Sequence, residues 1–194
     1  IHAFGTAGTG GFSVKASGLG HYGSAFIEWT TLVLMFLFGI NFSVYYELLK
    51  GNWKTALKNE ELIVYVIFVI SAVFLIFINI LPVYNFSISE SIRNSAFQVT
   101  SVITTTGFAT INTNIWPMLS KMLLLILMIT GACSGSTTGG LKMIRVIILF
   151  KAVIREVRHT VHPSSVSRIK IGGKSVEDDI IDNTLIFSFT YIFV

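Results

Sequence analysis

The stretch LIVYVIFVISAVFLIFINIL, residues 62–81, decides how this chain folds, because none of its twenty positions carries a charged side chain. Its length matches the roughly 20 helical residues that cross a bilayer core about 30 Å thick. In lipid, every backbone N–H and C=O must find a partner within the segment. The sequence therefore predicts a transmembrane α-helix here.

The composition of the 194-residue chain agrees with a membrane protein, since 53% of the residues are hydrophobic and only 12% are charged. A soluble domain carries about 25% charged residues. The single cysteine, Cys133, excludes a disulfide framework and a four-cysteine zinc site within the chain, and we expect it to be a packing residue. The chain starts at Ile1 without a visible signal peptide, and its last apolar run is shorter than a span. We therefore expect it to be part of a larger domain.

Two more hydrophobic regions flank the first span. Residues 24–46 form a second predicted span, and Glu28 near its start is either a cation-attracting residue at the outer mouth or a helix-start carboxylate. Residues 115–129 are apolar but too short to cross, and apolarity returns only at residues 141–153. The glycine-rich residues 131–140 between them predict a helix that is interrupted at membrane depth.

Basic residues indicate the orientation of these spans, because Lys and Arg concentrate in cytoplasmic loops. Most of them lie in two regions, one between the first two spans and one after the interrupted helix: Lys50, Lys54, Lys58, Lys142, Arg145, Lys151, Arg155, Arg158, Arg168, Lys170 and Lys174. We expect both regions to be cytoplasmic. The formal charge of +4 then reflects membrane topology, and no nucleic acid is expected as a partner.

The segment between the spans, residues 82–116, is not apolar enough to cross. Helix-start residues at Ser89 to Ser91 predict a short helix that continues to about Ile103 and ends at a Thr-Thr-Thr-Gly-Phe sequence. A short helix that enters and leaves on one face is a re-entrant loop, which is tolerated only where it is buried in protein or lines a water-filled cavity.

A repeat links this loop to the start of the chain. When the sequence is shifted by 96 residues, Thr9 falls on Thr105 and Gly11 falls on Gly107. The predicted repeating unit is helix, re-entrant loop, helix. It divides the chain into the end of one unit (residues 1–60), a complete unit (residues 61–160), and a cytoplasmic linker with the start of another unit (residues 161–194).

The two threonine–glycine loops have the composition of a cation filter. Rings of carbonyl oxygens replace the water shell of a potassium ion, and glycine allows the backbone conformations that aim successive carbonyls the same way. Threonine hydroxyls are a second set of ligands. One such loop alone would be read as a turn, but two in register favour a pore. The predicted filter residues are Thr9, Gly10, Gly11, Thr105, Thr106 and Gly107.

Four stretches together resemble the membrane subunit of Trk-type potassium uptake systems, within the wider Trk/Ktr/HKT superfamily. They are AFGTAGTGGFS (residues 3–13), TTTGFAT (104–110), GACSGSTTGGLKMIR (131–145) and VHPSSVSRIKIGG (161–173). The resemblance implies an all-α polytopic protein of the bacterial inner membrane, with helix/re-entrant loop/helix units arranged pseudo-fourfold around a pore. It places this chain between the second filter loop and the first helix of the fourth unit. It also implies potassium as substrate, no cofactor, a homodimer, and a cytosolic nucleotide-binding regulatory subunit.

The resemblance further implies that the break in the third unit is a gate below the filter. Small and hydroxyl residues framed by glycines do not form a stable helix, so two arrangements of the loop lie close in energy. The alternatives are a packing kink and a phosphate loop, although the Gly-Lys-Ser/Thr order of a phosphate loop is missing. The predicted gating residues are Gly131, Ser134, Gly135, Ser136, Thr137, Thr138, Gly139 and Gly140.

Basic residues recur at helical spacing after the break, and Lys151, Arg155 and Arg158 form one stripe. This stripe indicates either an anchor for lipid headgroups or a docking face for a partner protein.

Two other functions are compatible with parts of the sequence. A noncatalytic membrane scaffold explains the hydrophobicity but not the repeat. An intramembrane enzyme would use Ser134 or Ser136, yet no base lies in a full span, so we predict that the chain is not an enzyme.

Overall fold

The chain is seen in a computed structural model that describes residues 1–15, 17–162 and 168–193. These residues form nine α-helices and one β-hairpin, joined by short 3₁₀ turns. The helices are α1 His2–Ala7, α2 Ala25–Phe38, α3 Phe42–Leu49, α4 Trp53–Leu57, α5 Glu60–Ile80, α6 Ile88–Ile103, α7 Met118–Thr130, α8 Met143–Val161 and α9 Asp178–Phe193; the hairpin strands are β1 Lys170–Ile171 and β2 Lys174–Ser175.

Helix α5 is the predicted span. Asn59 caps its start by accepting a hydrogen bond from the Leu62 N–H at 3.1 Å, and a 3₁₀ turn extends it to Tyr84. Within the described residues it is the one helix long and apolar enough to cross a membrane, or one of two if the bent pair α2–α3 is counted as a span. One face of α5 is buried and the opposite face is exposed, as expected for a helix that packs on one side only.

The predicted span over residues 24–46 is bent, because it consists of two helices rather than one. The chain turns by 88° between α2 and α3. Gly39 ends α2 where a side chain would not fit, since a Cβ there would lie 2.5 Å from the Tyr65 hydroxyl. Asn41 then starts α3 as its N-cap, with its side-chain oxygen accepting from the Ser43 N–H at 2.9 Å.

Helix α6 lies at the centre and packs against α2, α5 and α7. Its observed range agrees with the predicted short helix before the second threonine–glycine loop. An ion pair ties it to α2, because Arg93 Nε lies 2.8 Å from Glu28 Oε2. The carboxylate of Glu28 is therefore neutralised by a neighbouring helix.

The interrupted helix is confirmed as local structure. Helices α7 and α8 are separated by residues 131–142, none of which is helical. The hairpin that follows was not expected from the sequence. It docks on the start of α5, where the Glu60 carboxylate accepts a hydrogen bond from the Gly172 N–H at 3.1 Å and pairs with Lys151 of α8.

Replacing Ile76 by alanine tests the buried face of α5. Ile76 is fully buried, and such truncations cost about 2–5 kcal/mol because they leave a cavity. We expect the Ile76→Ala protein, purified in detergent, to unfold at a clearly lower temperature in a thermal melt. Ile78, 53% exposed on the same helix, is the matched control, and equal melting temperatures for the two alanine variants would contradict this packing.

Candidate functional site

The second threonine–glycine loop, residues 104–109, is held by the last turns of α6. The carbonyl oxygen of Ser101 accepts hydrogen bonds from the N–H groups of Thr106 at 2.9 Å and Gly107 at 3.2 Å. The Ser101 hydroxyl donates to the carbonyl of Phe108 at 2.6 Å. The loop backbone is thus fixed to a buried helix end.

The first threonine–glycine loop, residues 8–13, repeats this arrangement after α1. The carbonyl oxygen of Gly5 accepts from the N–H groups of Gly10 at 2.8 Å and Gly11 at 3.4 Å. Gly5, Gly10 and Gly11 are the residues that the 96-residue shift places on Ser101, Thr106 and Gly107. The sequence repeat is therefore also a repeat of backbone hydrogen bonds.

Both loops alternate between left-handed and ordinary backbone conformations. The positive φ angles are 48° at Thr9, 64° at Gly11, 52° at Thr105 and 80° at Gly107. A β-branched residue at positive φ is unfavourable by about 1–3 kcal/mol, so the two threonines hold this conformation only because their surroundings enforce it. The same alternation occurs at equivalent positions of the two loops.

The two loops meet each other. A Cβ on Gly11 would lie 1.9 Å from the carbonyl oxygen of Thr106, so no side chain fits there. A cleft of about 490 Å³ opens beside this contact, with both loops in its lining. The C-terminal ends of α1 and α6 point into the loops, and helix C-termini carry partial negative charge that favours a cation.

The predicted gating residues lie against the predicted filter residues. The Thr9 hydroxyl donates to the carbonyl of Thr137 at 2.9 Å, and the Thr105 hydroxyl accepts from the Gly139 N–H at 2.7 Å. Equivalent threonines of the two threonine–glycine loops thus bind the same segment, residues 131–142, which we call the glycine-rich loop.

The hydroxyls of the three predicted filter threonines all form hydrogen bonds within the protein. Besides the two bonds to the glycine-rich loop, the Thr106 hydroxyl pairs with that of Thr104 at 2.8 Å. A hydroxyl that donates its proton keeps its lone pairs, so both backbone carbonyls and hydroxyl oxygens remain as oxygen groups in these loops.

The glycine-rich loop closes on itself. The Leu141 N–H donates to the carbonyl of Ile129 at 3.1 Å, and a Cβ on Gly140 would lie 2.8 Å from the Gly131 Cα. Inside the loop, the Lys142 ammonium donates to the carbonyl of Thr138. The loop is a compact folded segment rather than an extended connection.

Sequence reasoning missed the residues that fasten this loop to the rest of the protein. The carboxylate of Glu61, 5% exposed, accepts from the Ser134 N–H at 2.5 Å and from the Asn41 amide at 3.3 Å. The bend between α2 and α3 adds two backbone bonds, from Cys133 N–H to the Gly39 carbonyl and from Phe42 N–H to the Gly135 carbonyl, each at 3.1 Å. An acid directly before an apolar span was the available signal.

The basic stripe lies apart from the two threonine–glycine loops. Lys151 pairs with Glu60 and donates to the Lys170 carbonyl at 2.7 Å, while Arg155 lies 2.8 Å from the Asp178 carboxylate. Arg158 is exposed one turn further along α8. Two of the three predicted docking residues therefore hold the hairpin and α9 in place.

Comparison with known proteins gives consistent matches over the whole chain. The TrkH family profile, described as a cation transport protein, matches residues 1–194. The Trk system potassium uptake protein TrkH of Escherichia coli K12 is 34% identical over 199 residues, covering 100% of this chain and 40% of that protein. The Halomonas elongata protein of the same name is 30% identical over 98% of this chain and 40% of that protein.

A solved structure of a potassium transporter has a similar fold. The crystal structure of the potassium transporter TrkH from Vibrio parahaemolyticus superimposes with a TM-score of 0.89 and 29% identity, covering 96% of this chain and 41% of that chain. The present chain thus spans about 40% of the length of the relatives it matches.

Replacing Thr105 by valine tests the bond between the second threonine–glycine loop and the glycine-rich loop. The Gly139 N–H would lose its acceptor, and a single hydrogen bond contributes about 0.5–1.5 kcal/mol. We expect hydrogen–deuterium exchange at Gly139 to accelerate roughly 2- to 10-fold. Thr105→Ser keeps the hydroxyl and is the control; equal exchange in the serine and valine variants would show that the bond does not hold the loop.

Proposed function

The chain belongs to the TrkH family of cation transport proteins, and on this premise we propose that the complete protein carries potassium ions across a membrane. The relatives are named for potassium uptake, which supports this choice of ion. Membership of a transport family also confirms the prediction that the chain is not an enzyme. Ser134 and Ser136 are accordingly assigned to the loop and not to catalysis.

The observation that carries the proposal is the duplicated backbone of the two threonine–glycine loops. Each loop is held by a helix carbonyl in the same way and has positive φ at the same two positions. Each also follows a helix C-terminus, and no charged side chain occurs in residues 8–13 or 104–109. An ion coordinated by neutral carbonyls binds well enough to enter and weakly enough to leave.

We propose that these loops are two strands of a pseudo-fourfold filter. Their close approach at Gly11 and Thr106 supports neighbouring positions around one axis. Gly10, Gly11 and Gly107 contribute carbonyls beside those of Thr9, Thr105 and Thr106. Internal repeats around a common axis are a known way to build transporters.

We propose that the glycine-rich loop is the gate. It binds both threonine–glycine loops from one side, so an ion leaving the filter meets it next. A small number of hydrogen bonds hold the loop to Glu61 and to the bend between α2 and α3. Loss of these bonds would free the loop to move away from the filter. A scaffold without transport would have no use for such a contact.

The setting of this pore is proposed from the same premise. Helix α5 and the bent pair α2–α3 would cross a bacterial inner membrane, with the basic regions on the cytoplasmic side. A homodimer and a cytosolic nucleotide-binding regulatory subunit are the partners proposed with it, and no cofactor is assigned to this chain.

Gly107→Val tests the filter. Gly107 has φ of 80° with open space around its Cα, so a valine there meets backbone strain and no steric clash. We expect cells that lack their own potassium uptake systems to lose tracer potassium uptake when they express the valine variant of the complete protein.

Gly23→Val is the matched control, because Gly23 also has positive φ, 55°, and open space, but lies outside both loops. At equal abundance in the membrane, it should transport as the wild type does. Equal uptake by both variants would show that the second threonine–glycine loop is a turn and not part of a filter. If the wild type itself shows no uptake, the noncatalytic membrane scaffold would be favoured instead.

Glu61→Gln tests the gate. The neutral amide weakens the bond to the Ser134 N–H, and hydrogen bonds to charged groups contribute about 1.5–3 kcal/mol. The proposed gate closes the ion path when the glycine-rich loop is bound as observed, so weaker binding of the loop opens the path more often. We therefore expect potassium flux into vesicles containing the purified protein to rise about tenfold. The neighbouring Glu60→Gln, which breaks the pair with Lys151 instead, should leave flux unchanged. Unchanged flux in both variants would contradict the gating role.

A further inference from the structure

A cavity of about 220 Å³ lies between α8 and the strand β1, away from the threonine–glycine loops. Five of its seven lining residues are basic and two are isoleucines: Lys151, Arg155, Arg158, Arg168, Lys170, Ile154 and Ile169. The helix contributes residues spaced three and four apart, so one face of α8 forms one wall. Ile169 is buried beneath the hairpin and fixes the opposite wall.

The charge of this cavity is only partly balanced. Glu60 pairs with Lys151 and Asp178 pairs with Arg155. Among the described residues, no acid lies within ion-pair distance of Arg158, Arg168 or Lys170. Arg168 also lines a neighbouring cleft together with Glu177, Asp178 and Asp179. The cavity therefore attracts an anion.

An apolar stripe runs beside the basic face of α8. Phe150, Val153, Val157 and Val161 recur at three- and four-residue spacing and are 60–67% exposed. Ile154, which lines the cavity, lies between the stripe and the basic residues. A helix with an apolar face next to a face rich in Lys and Arg is the pattern of a segment at a membrane interface.

We propose that this cavity binds the phosphate headgroup of an anionic phospholipid, with Arg158, Arg168 and Lys170 as ligands and an acyl chain along the apolar stripe. The inference rests on the proposed function, because it needs the chain to sit in a membrane. Arginine guanidinium groups match phosphate through paired hydrogen bonds. A soluble anion would explain the basic residues but not the adjoining apolar stripe, and clustered basic residues next to a span are typical of anionic lipid recognition.

The test measures lipid binding directly. The complete protein would be placed in nanodiscs of phosphatidylcholine with a minor fraction of phosphatidylglycerol, and retained phosphatidylglycerol would be counted by native mass spectrometry. We expect the double variant Arg158→Gln/Arg168→Gln to retain about tenfold less, because two charge-assisted contacts are lost. The control Lys54→Gln/Lys58→Gln removes the same charge from exposed positions before α5 and should retain the wild-type amount.

Several outcomes would overturn the proposal. Equal retention in the two double variants would show that only net charge matters. Displacement of phosphatidylglycerol by inorganic phosphate, with no preference for the lipid, would assign the cavity to a soluble anion. Loss of a bound cytosolic protein at unchanged lipid retention would assign it to a protein partner. Lipid retention is measured without ion flux, so the two proposals fail separately. A loss of lipid binding would leave the transport proposal intact. A protein that binds the lipid but does not transport potassium would contradict only the transport proposal.

Discussion

Backbone polar groups outside regular helices must be satisfied by the protein itself, and this constraint shapes the central part of the structure. The glycine-rich loop interrupts a helix over residues 131–142 and so gives up the hydrogen bonds that a helix would supply. Its N–H and C=O groups are instead taken up by Thr9, Thr105 and Glu61 and by the bend at Gly39. Thr9 and Thr105 have positive φ angles, Glu61 is buried, and Gly39 lies at the end of α2.

The two breaks therefore depend on each other. The bend between α2 and α3 exposes the Gly39 carbonyl and the Phe42 N–H, and both groups bind the glycine-rich loop. The shift of 96 residues places Gly39 on Gly135, so the bend and the loop are related positions of the repeat with different lengths. A continuous helix over residues 25–49 would have left the glycine-rich loop without these partners, so the bend and the loop stabilise each other.

The sequence was sufficient for features that follow from composition and periodicity. Helix α5, the end of α6, the two matching threonine–glycine loops and the interrupted helix are all predicted from it, because apolar runs and glycines act locally. The bend at Gly39 was missed since the groups that pack and bond there, Tyr65 and the glycine-rich loop, are far away in the sequence. The role of Glu61 was missed because its partners, the Ser134 N–H and the Asn41 amide, are 73 and 20 residues away in the sequence. The hairpin was missed because its strands are two residues long and carry no alternating pattern.

The bonding of the threonines has a consequence for the proposed mechanism. Because the Thr9 and Thr105 hydroxyls hold the glycine-rich loop, a movement of that loop removes bonds from the very residues whose positive φ angles are unfavourable. Opening the loop would then relax the filter backbone as well, so ion coordination and gating would share one free-energy change. In a filter whose threonines were replaced by glycines, the same loop could move without altering the strand. The choice of threonine at both equivalent positions thus favours a gate that is coupled to the filter over one that acts independently below it.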